Sequence, residues 1–154
     1  MTAMTSAGTT LAISAGAPAT FNEAGFEALT FTEIGEITDI GGDIGRVYNL
    51  VTHTPLANRS TRKYKGSYNS GSATITLALD PDDAGQTLVE AALNSDNAYS
   101  FRLERQDGST RYFRGMVMSF PEAYGGVDAI TTRTVTVEIT ADDSGNDFVE
   151  VAAP

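Results

Sequence analysis

The 154-residue chain carries twenty Asp and Glu against ten Lys and Arg, a formal charge of -10 with a pI near 4.3, so the protein as a whole repels nucleic acid. It has no cysteine and one histidine, His53, which excludes a disulfide framework, a thiol nucleophile and most zinc chemistry. The length fits a single domain over residues 1–154, and no stretch approaches the roughly eighteen apolar residues that span a bilayer, so the sequence reads as a soluble protein made in the cytoplasm with no membrane partner.

The first 22 residues, MTAMTSAGTTLAISAGAPATFN, contain no charge. They lack the positive start and apolar run of a signal peptide. Residues 1–19 are therefore expected to be an arm that orders against a neighbour. ALTFTEIGEITDIG (28–41) predicts one strand, bulged near Gly35 where the alternation slips, and RVYNLVT (46–52) predicts its continuation. Residues 52–70 show no periodicity and read as a long inter-strand loop. In SATITLAL (72–79), Ala73, Ile75, Leu77 and Leu79 share one face of a half-buried strand. A helix is predicted over about 81–94, with Asp80 as N-cap, Pro81 in the first turn, and Ala84, Leu88 and Ala92 on one face beside Val89 and Leu93. Strands near 98–106 and 110–120 flank Asp107-Gly108, a hairpin-turn dipeptide. In TTRTVTVEIT (131–140), Val135, Val137 and Ile139 oppose a hydroxyl-rich face that includes Glu138. Residues 142–154 form a short C-terminal extension, either an arm or a frayed end. The fold class is mainly β: an antiparallel sandwich or barrel with one flanking helix.

No catalytic constellation emerges. GGDIGR (41–46) lacks the Lys-Ser/Thr ending and strand-turn-helix setting of a phosphate loop, and its glycines read as turn residues. Ser60 or Ser67 with His53 has no nucleophile-elbow motif and no orienting carboxylate. Glu33, Glu36 and Asp39 match no calcium-loop spacing. The alternating Met116, Met118 and Phe120 read as core. No catalytic residue, metal site or cofactor is predicted.

Charge is unevenly distributed. Between Glu23 and Asp43 there are six acidic residues (Glu23, Glu27, Glu33, Glu36, Asp39, Asp43) and no basic one. Between Arg59 and Lys65 there are four basic residues (Arg59, Arg62, Lys63, Lys65) and no acidic one. Two solvated faces would produce this pattern. So would a basic loop that docks on the acidic region of another copy, a heterologous contact that builds rings or filaments.

The runs GEITDIGG (35–42), YNLVTHTPLANRSTRKYKGSYNSGSATITLALDPDDAG (48–85) and YSFRLERQDGSTRYFRGMVMSFPEAYGGVDAITTRTVTVEIT (99–140) together resemble the major tail tube protein of long, non-contractile-tailed bacteriophages, from about Gly8 to Thr140. The resemblance implies a structural virion protein of the tail, assembled in the host cytoplasm and without enzymatic activity. Its homo-hexameric rings would stack into a hollow tube whose inner sheets join into one continuous β-barrel. It implies a tape-measure protein inside the tube, tail-terminator and tail-tip proteins at its ends, and DNA that passes to the host without specific binding. It makes the 52–70 loop an inter-ring or inter-subunit arm carrying His53, Pro55, Leu56, Arg59, Arg62, Lys63, Tyr64 and Lys65. It makes Glu33, Glu36, Asp39, Asp43, Glu104 and Glu138 candidates for the arm's acidic partner or the lumen wall. The alternative reading is a non-catalytic β-sandwich module for carbohydrate, which the absence of tryptophan disfavours.

Overall fold

A computed structural model describes residues 3–154; Met1 and Thr2, the first residues of the expected arm, lie outside the described residues. In chain order the elements are β1 (Thr10–Ser14), α1 (Glu23–Glu27), β2 (Thr32–Glu33), β3 (Ile37–His53), β4 (Arg62–Ala78), α2 (Ala84–Leu93), β5 (Tyr99–Glu104), β6 (Thr110–Ser119), β7 (Glu122–Ala123), β8 (Thr132–Thr140) and β9 (Phe148–Val151). All strand pairings are antiparallel, in the order β2-β1-β5-β6-β8-β4-β3, with β7 added to β8 and β9 to β6.

The period-two patterns set the sheet's faces as expected. Ala73, Ile75 and Leu77 of β4 lie in register with Val137, Val135 and Arg133 of β8, and the apolar members are buried. Residues Leu11 and Ile13 of β1, from the opposite end of the sheet, join the same core cluster together with Phe101 and Phe113. One sheet therefore curls until its two halves share a single apolar interior. The predicted sandwich or barrel is an open form of that arrangement, because β2 and β3 are end strands that do not pair with each other.

Two helices are present among the described residues, not one. α1 is capped by Asn22, whose side chain accepts from the Gly25 amide at 2.8 Å. It stacks Phe26 on Tyr112 at 5.1 Å, covering the reverse side of the β6 start. Its five residues are too few to generate a readable period. The N-terminal segment is likewise not simply an arm: Leu11, Ala12 and Ile13 are buried in β1, which pairs with both β2 and β5. The C-terminal extension contributes β9, which prolongs the line of β8 along the same edge of β6. Phe120 is buried in the core as expected, but Met118 is 58% exposed and Met116 half-buried, so the two methionines point away from the core: β6 turns Val117 inward, and a register shift between Val117 and Ser119 precedes Phe120. Gly108 has φ 90, as the hairpin turn requires.

The stretch expected to form one bulged strand is in fact divided. β2 ends at Glu33, Ile34 is buried, and Glu36 takes the left-handed φ of 62 before β3 begins at Ile37. β2 pairs with β1 at one end of the sheet, and β3 pairs with β4 at the other.

α2 holds this division in place. Its N-cap is Asp83 rather than Asp80, since the turn of residues 80–83 precedes the helix. The Asp83 carboxylate accepts from the Gln86 amide at 2.9 Å and from the Gly35 amide at 3.1 Å. The buried Gln86 side chain donates to Ala78 O at 2.9 Å and Gly35 O at 3.2 Å, and accepts from the Asp80 amide at 3.0 Å. The helix buries Gly85, Gln86, Val89 and Ala92, while Ala84, expected inside, is exposed.

Replacing Gln86 by Leu keeps the volume and strands three backbone partners. It is expected to lower unfolding stability by about 3 kcal/mol, read from the urea midpoint at unchanged slope.

Candidate functional site

β3 and β4 are each seventeen residues long, but β8 accompanies β4 only over Ser72–Ala78. Beyond Gly71 the two strands continue alone as a twisted ribbon, projecting about 25 Å by the rise of an antiparallel strand. The predicted 52–70 loop is therefore mostly this ribbon, and only residues 54–61 connect its strands. The ribbon leaves the sheet at Gly71, whose φ is 95 and where a Cβ would lie 1.8 Å from Asp43 O. Register shifts between Ile44 and Val47 and between Tyr48 and Leu50 interrupt the ladder. Along Arg62–Asn69 both faces of β4 are exposed apart from the half-buried Gly66, so no apolar period was legible there. The glycines of GGDIGR sit within β3, at φ 88 for Gly42 and 154 for Gly45, and not in a turn.

The predicted arm residues lie together at the outer end of this ribbon. His53 pairs with Arg62 and Val51 with Tyr64 on one face; Thr52 pairs with Lys63 and Leu50 with Lys65 on the other. Pro55, Leu56 and Arg59 belong to the connecting tip, which is closed by Asn58 N to Pro55 O at 3.2 Å and a Thr54–Thr61 hydroxyl contact at 3.0 Å. Arg59, Arg62, Lys63 and Lys65 are all exposed. So are Val47, Leu50, Val51, Tyr64 and Leu56, the last at 108%. Basic groups interleaved with exposed apolar ones make a surface suited to a protein partner.

The ribbon is fastened at its root by residues the sequence did not single out. Asp147, buried just before β9, accepts from Arg46 Nε at 2.8 Å, Arg46 Nη2 at 3.0 Å, Ser70 Oγ at 3.0 Å and the Phe148 amide at 3.0 Å. Tyr68 donates to Gly145 O at 3.2 Å, and Arg46 lies 4.4 Å over the Tyr68 ring. Burial alone would push the Asp147 carboxyl up, but the hydrogen bonds from Arg46 and Ser70 and the Arg46 charge hold it below the ordinary carboxylate range. The same bond pushes the Arg46 guanidinium up. No local signal connects Arg46 with Asp147, which are 101 residues apart.

The second surface is the non-core face of β3, β4 and β8. Asp43, Ser72, Glu138 and Met116 form one cross-strand row, Thr74 opposes Thr136, and Thr76 opposes both Asp39 and Thr134. Asp39, Asp43 and Glu138 are exposed. The carboxylates of this row stand about 10 Å apart, two strand spacings, and no basic side chain lies between them. Arg114, on the same side of β6, is tied to Ala98 O at 2.5 Å, and burial pushes its pKa below the usual value. The other acidic candidates lie elsewhere: Glu33 on β2 opposite Ala12, Glu104 on β5 opposite Thr10, and Glu36 in the β2–β3 junction. Of that set, Asp39, Asp43 and Glu138 come together on β3 and β8, whereas Glu33 and Glu104 also point away from the core but lie on β2 and β5, at the other end of the sheet.

Because the folded carboxyl is depressed, the Asp147 contacts stabilise the ribbon root above an unfolded value of about 3.9 and are lost as pH falls through the lower folded value. The side-chain carboxyl resonance of Asp147 should titrate below that value, and Asp147→Asn should speed amide exchange at 44–50 and 67–71 while β5 and β8 stay protected.

Residues 21–147 match the family model described as lambda phage tail tube protein. No curated protein sequence matches the chain. Among solved structures, the chain resembles the sheath/tube terminator of the extracellular contractile injection system PVC in its extended state (TM-score 0.67, 10% identity, 99% of each chain). It also resembles the tail of an empty gene transfer agent particle refined with C6 symmetry (TM-score 0.62, 12% identity, 92% of this chain and 96% of that one). A third likeness is to the SPP1 tail tube (TM-score 0.57, 14% identity, 85% of this chain and 72% of that one). At these identities the structural likenesses speak for the fold, and the family match covers both the ribbon and the hydroxyl-rich face: the chain belongs to the lambda phage tail tube protein family, and it is a structural tail tube protein.

Proposed function

We propose that the whole chain, residues 1–154, works as one unit that forms homo-hexameric rings, and that these stack into the hollow tube through which DNA leaves the virion. The observation that carries this reading is the ribbon: a projection with exposed Leu50, Leu56 and Tyr64 and four clustered cations, held at its root and without a partner in its own subunit. In this reading the ribbon, with His53, Pro55, Leu56, Arg59, Arg62, Lys63, Tyr64 and Lys65, reaches the adjacent ring. The open edge of β3 receives a neighbour within the ring, since an unpaired strand this long is a template for addition. Sixfold symmetry is supported by the C6 tail to which the chain is similar.

The face bearing Asp39, Asp43 and Glu138 lines the lumen. Fixed negative charge there repels phosphates within about 8 Å of the wall at physiological salt, so DNA slides without specific binding. A tape-measure protein occupies the lumen before ejection, and tail-terminator and tail-tip proteins close the ends. Assembly takes place in the host cytoplasm, and no step requires catalysis. Glu33, Glu36 and Glu104 have no part in the lumen wall in this arrangement.

Reversing Arg59, Arg62, Lys63 and Lys65 to Glu is expected to leave the thermal melt within a few degrees, because surface substitutions cost only about 0.5 kcal/mol each, and to abolish tubes in negative-stain micrographs where the parent protein forms them. Normal tubes from the reversed protein would sink the arm assignment. Substituting Lys for Asp39, Asp43 and Glu138 should convert tubes that ignore duplex DNA into tubes that retain it, with an affinity falling steeply with salt. Equal, negligible retention by both would place these carboxylates off the lumen.

A further inference from the structure

The ribbon tip occupies one end of β4, and the other end of the same strand carries a surface of opposite charge. β4 runs from Arg62 to Ala78, about 50 Å by strand rise. At Ala78 it meets the start of β8, and Leu79 N donates to Thr131 O at 2.9 Å. Two segments meet there: the turn of residues 79–83, leading into α2, and the loop of residues 124–131, between β7 and β8. Together with β7 they hold Asp80, Asp82, Asp83, Glu122 and Asp128, against Arg133 alone. Arg133 is already engaged by Glu90 at 2.8 Å and Glu122 at 3.6 Å, and Asp83 is consumed in capping α2. Asp82 and Asp128 remain exposed beside Tyr124, Ile130 and the fully exposed Val127.

We infer that this far end, centred on Asp82, Asp128 and Val127, is the seat for the ribbon tip of a second copy in the next ring. The inference rests on the ring-stacking reading and names the receiving surface. Three observations converge on it. The tip is purely basic between residues 59 and 65, and the far end is acidic apart from a paired Arg133. Each carries fully exposed aliphatic side chains, Leu56 and Val127, that only a contact would cover. The two lie at opposite ends of one strand, and since barrel strands tilt by only about 35–45° from the axis, those ends face successive rings. A head-to-tail contact of this kind repeats without closing, as a stack requires. The acidic run from Glu23 to Asp43, which the sequence offered as the tip's partner, is instead dispersed over α1, β2 and the hydroxyl-rich face.

The test is a charge swap. Asp82 and Asp128 lie outside the Gln86 hydrogen-bond network, so Asp82→Lys with Asp128→Lys should fold with an unchanged melt and raise the concentration needed for tubes at least roughly tenfold, leaving unstacked rings. Combining this pair with Arg59→Glu, Arg62→Glu, Lys63→Glu and Lys65→Glu should restore tubes. If the Asp82/Asp128 variant stacks like the parent, or the combination fails to recover stacking while both component variants fold, the seat is elsewhere even though the ribbon reading stands. If the tip-reversed chain alone forms normal tubes, the ribbon reading and the seat both fall. The chain contains no cysteine, which permits an independent measurement. A Leu56→Cys/Val127→Cys chain treated with a short bismaleimide should give a ladder of chain multiples from tubes but not from isolated rings. Tubes without a ladder would overturn the pairing.

Discussion

The architecture depends on what happens between Glu33 and Ile37. Three residues of otherwise strand-like sequence, Ile34 to Glu36, are diverted by a left-handed Glu36, so that β2 and β3, adjacent in the chain, become opposite ends of one sheet. A non-glycine residue in that conformation needs support from its surroundings. Support comes from the Asp83 carboxylate on Gly35 N, the Gln86 amide on Gly35 O and Ala78 O, and Glu36 O accepting from Ala78 N at 2.9 Å. The close fit is enforced at Gly85, where a Cβ would stand 2.2 Å from Glu33 O. Because the diversion separates the two end strands, the sheet curls around its core without closing, and the long β3 keeps a free edge.

That free edge and the ribbon beyond it carry the consequences for assembly. An isolated two-stranded ribbon is marginal in water. This one is stiffened near its root by the Tyr48–Tyr68 pair at 5.1 Å, by Lys65 over the Tyr48 ring at 4.8 Å, and by the Arg46–Asp147 ion pair. Beyond the Leu50–Lys65 pair, no aromatic or ionic contact of this kind is found among the described residues, and Leu50, Leu56 and Tyr64 are exposed. Rigidity at the root and exposure at the tip limit the ordering cost when a partner engages the ribbon.

Charge follows the same axis. Along β3, Asp39 and Asp43 precede Arg46, and the cations of the tip follow on β4, so one pair of strands runs from an acidic sheet face to a basic end. Segregation of this kind keeps the negative face clear of the protein's own cations while leaving complementary ends for head-to-tail contact. The net charge of -10 conceals this division, because it averages a basic projection into an acidic whole.

The sequence by itself determined the β class, the inward faces of β4 and β8, the Asp107-Gly108 turn, the existence of α2 and the clustering of the arm's cations, since each is a local property of period, turn chemistry or charge. It also carried the likeness to tail tube proteins, through blocks that span most of the chain. Only the tertiary structure decided that residues 28–41 divide between two ends of the sheet, that residues 52–70 are largely ribbon rather than loop, and that Asp39, Asp43 and Glu138 gather on β3 and β8 while Glu33 and Glu104 lie on strands at the other end of the sheet. It alone joined Arg46 to Asp147. The physical reason is common to these cases: a strand exposed on both faces carries no apolar period by which it can be read, and cross-strand register and long-range ion pairs arise from contacts between segments whose separation in the chain carries no local signal.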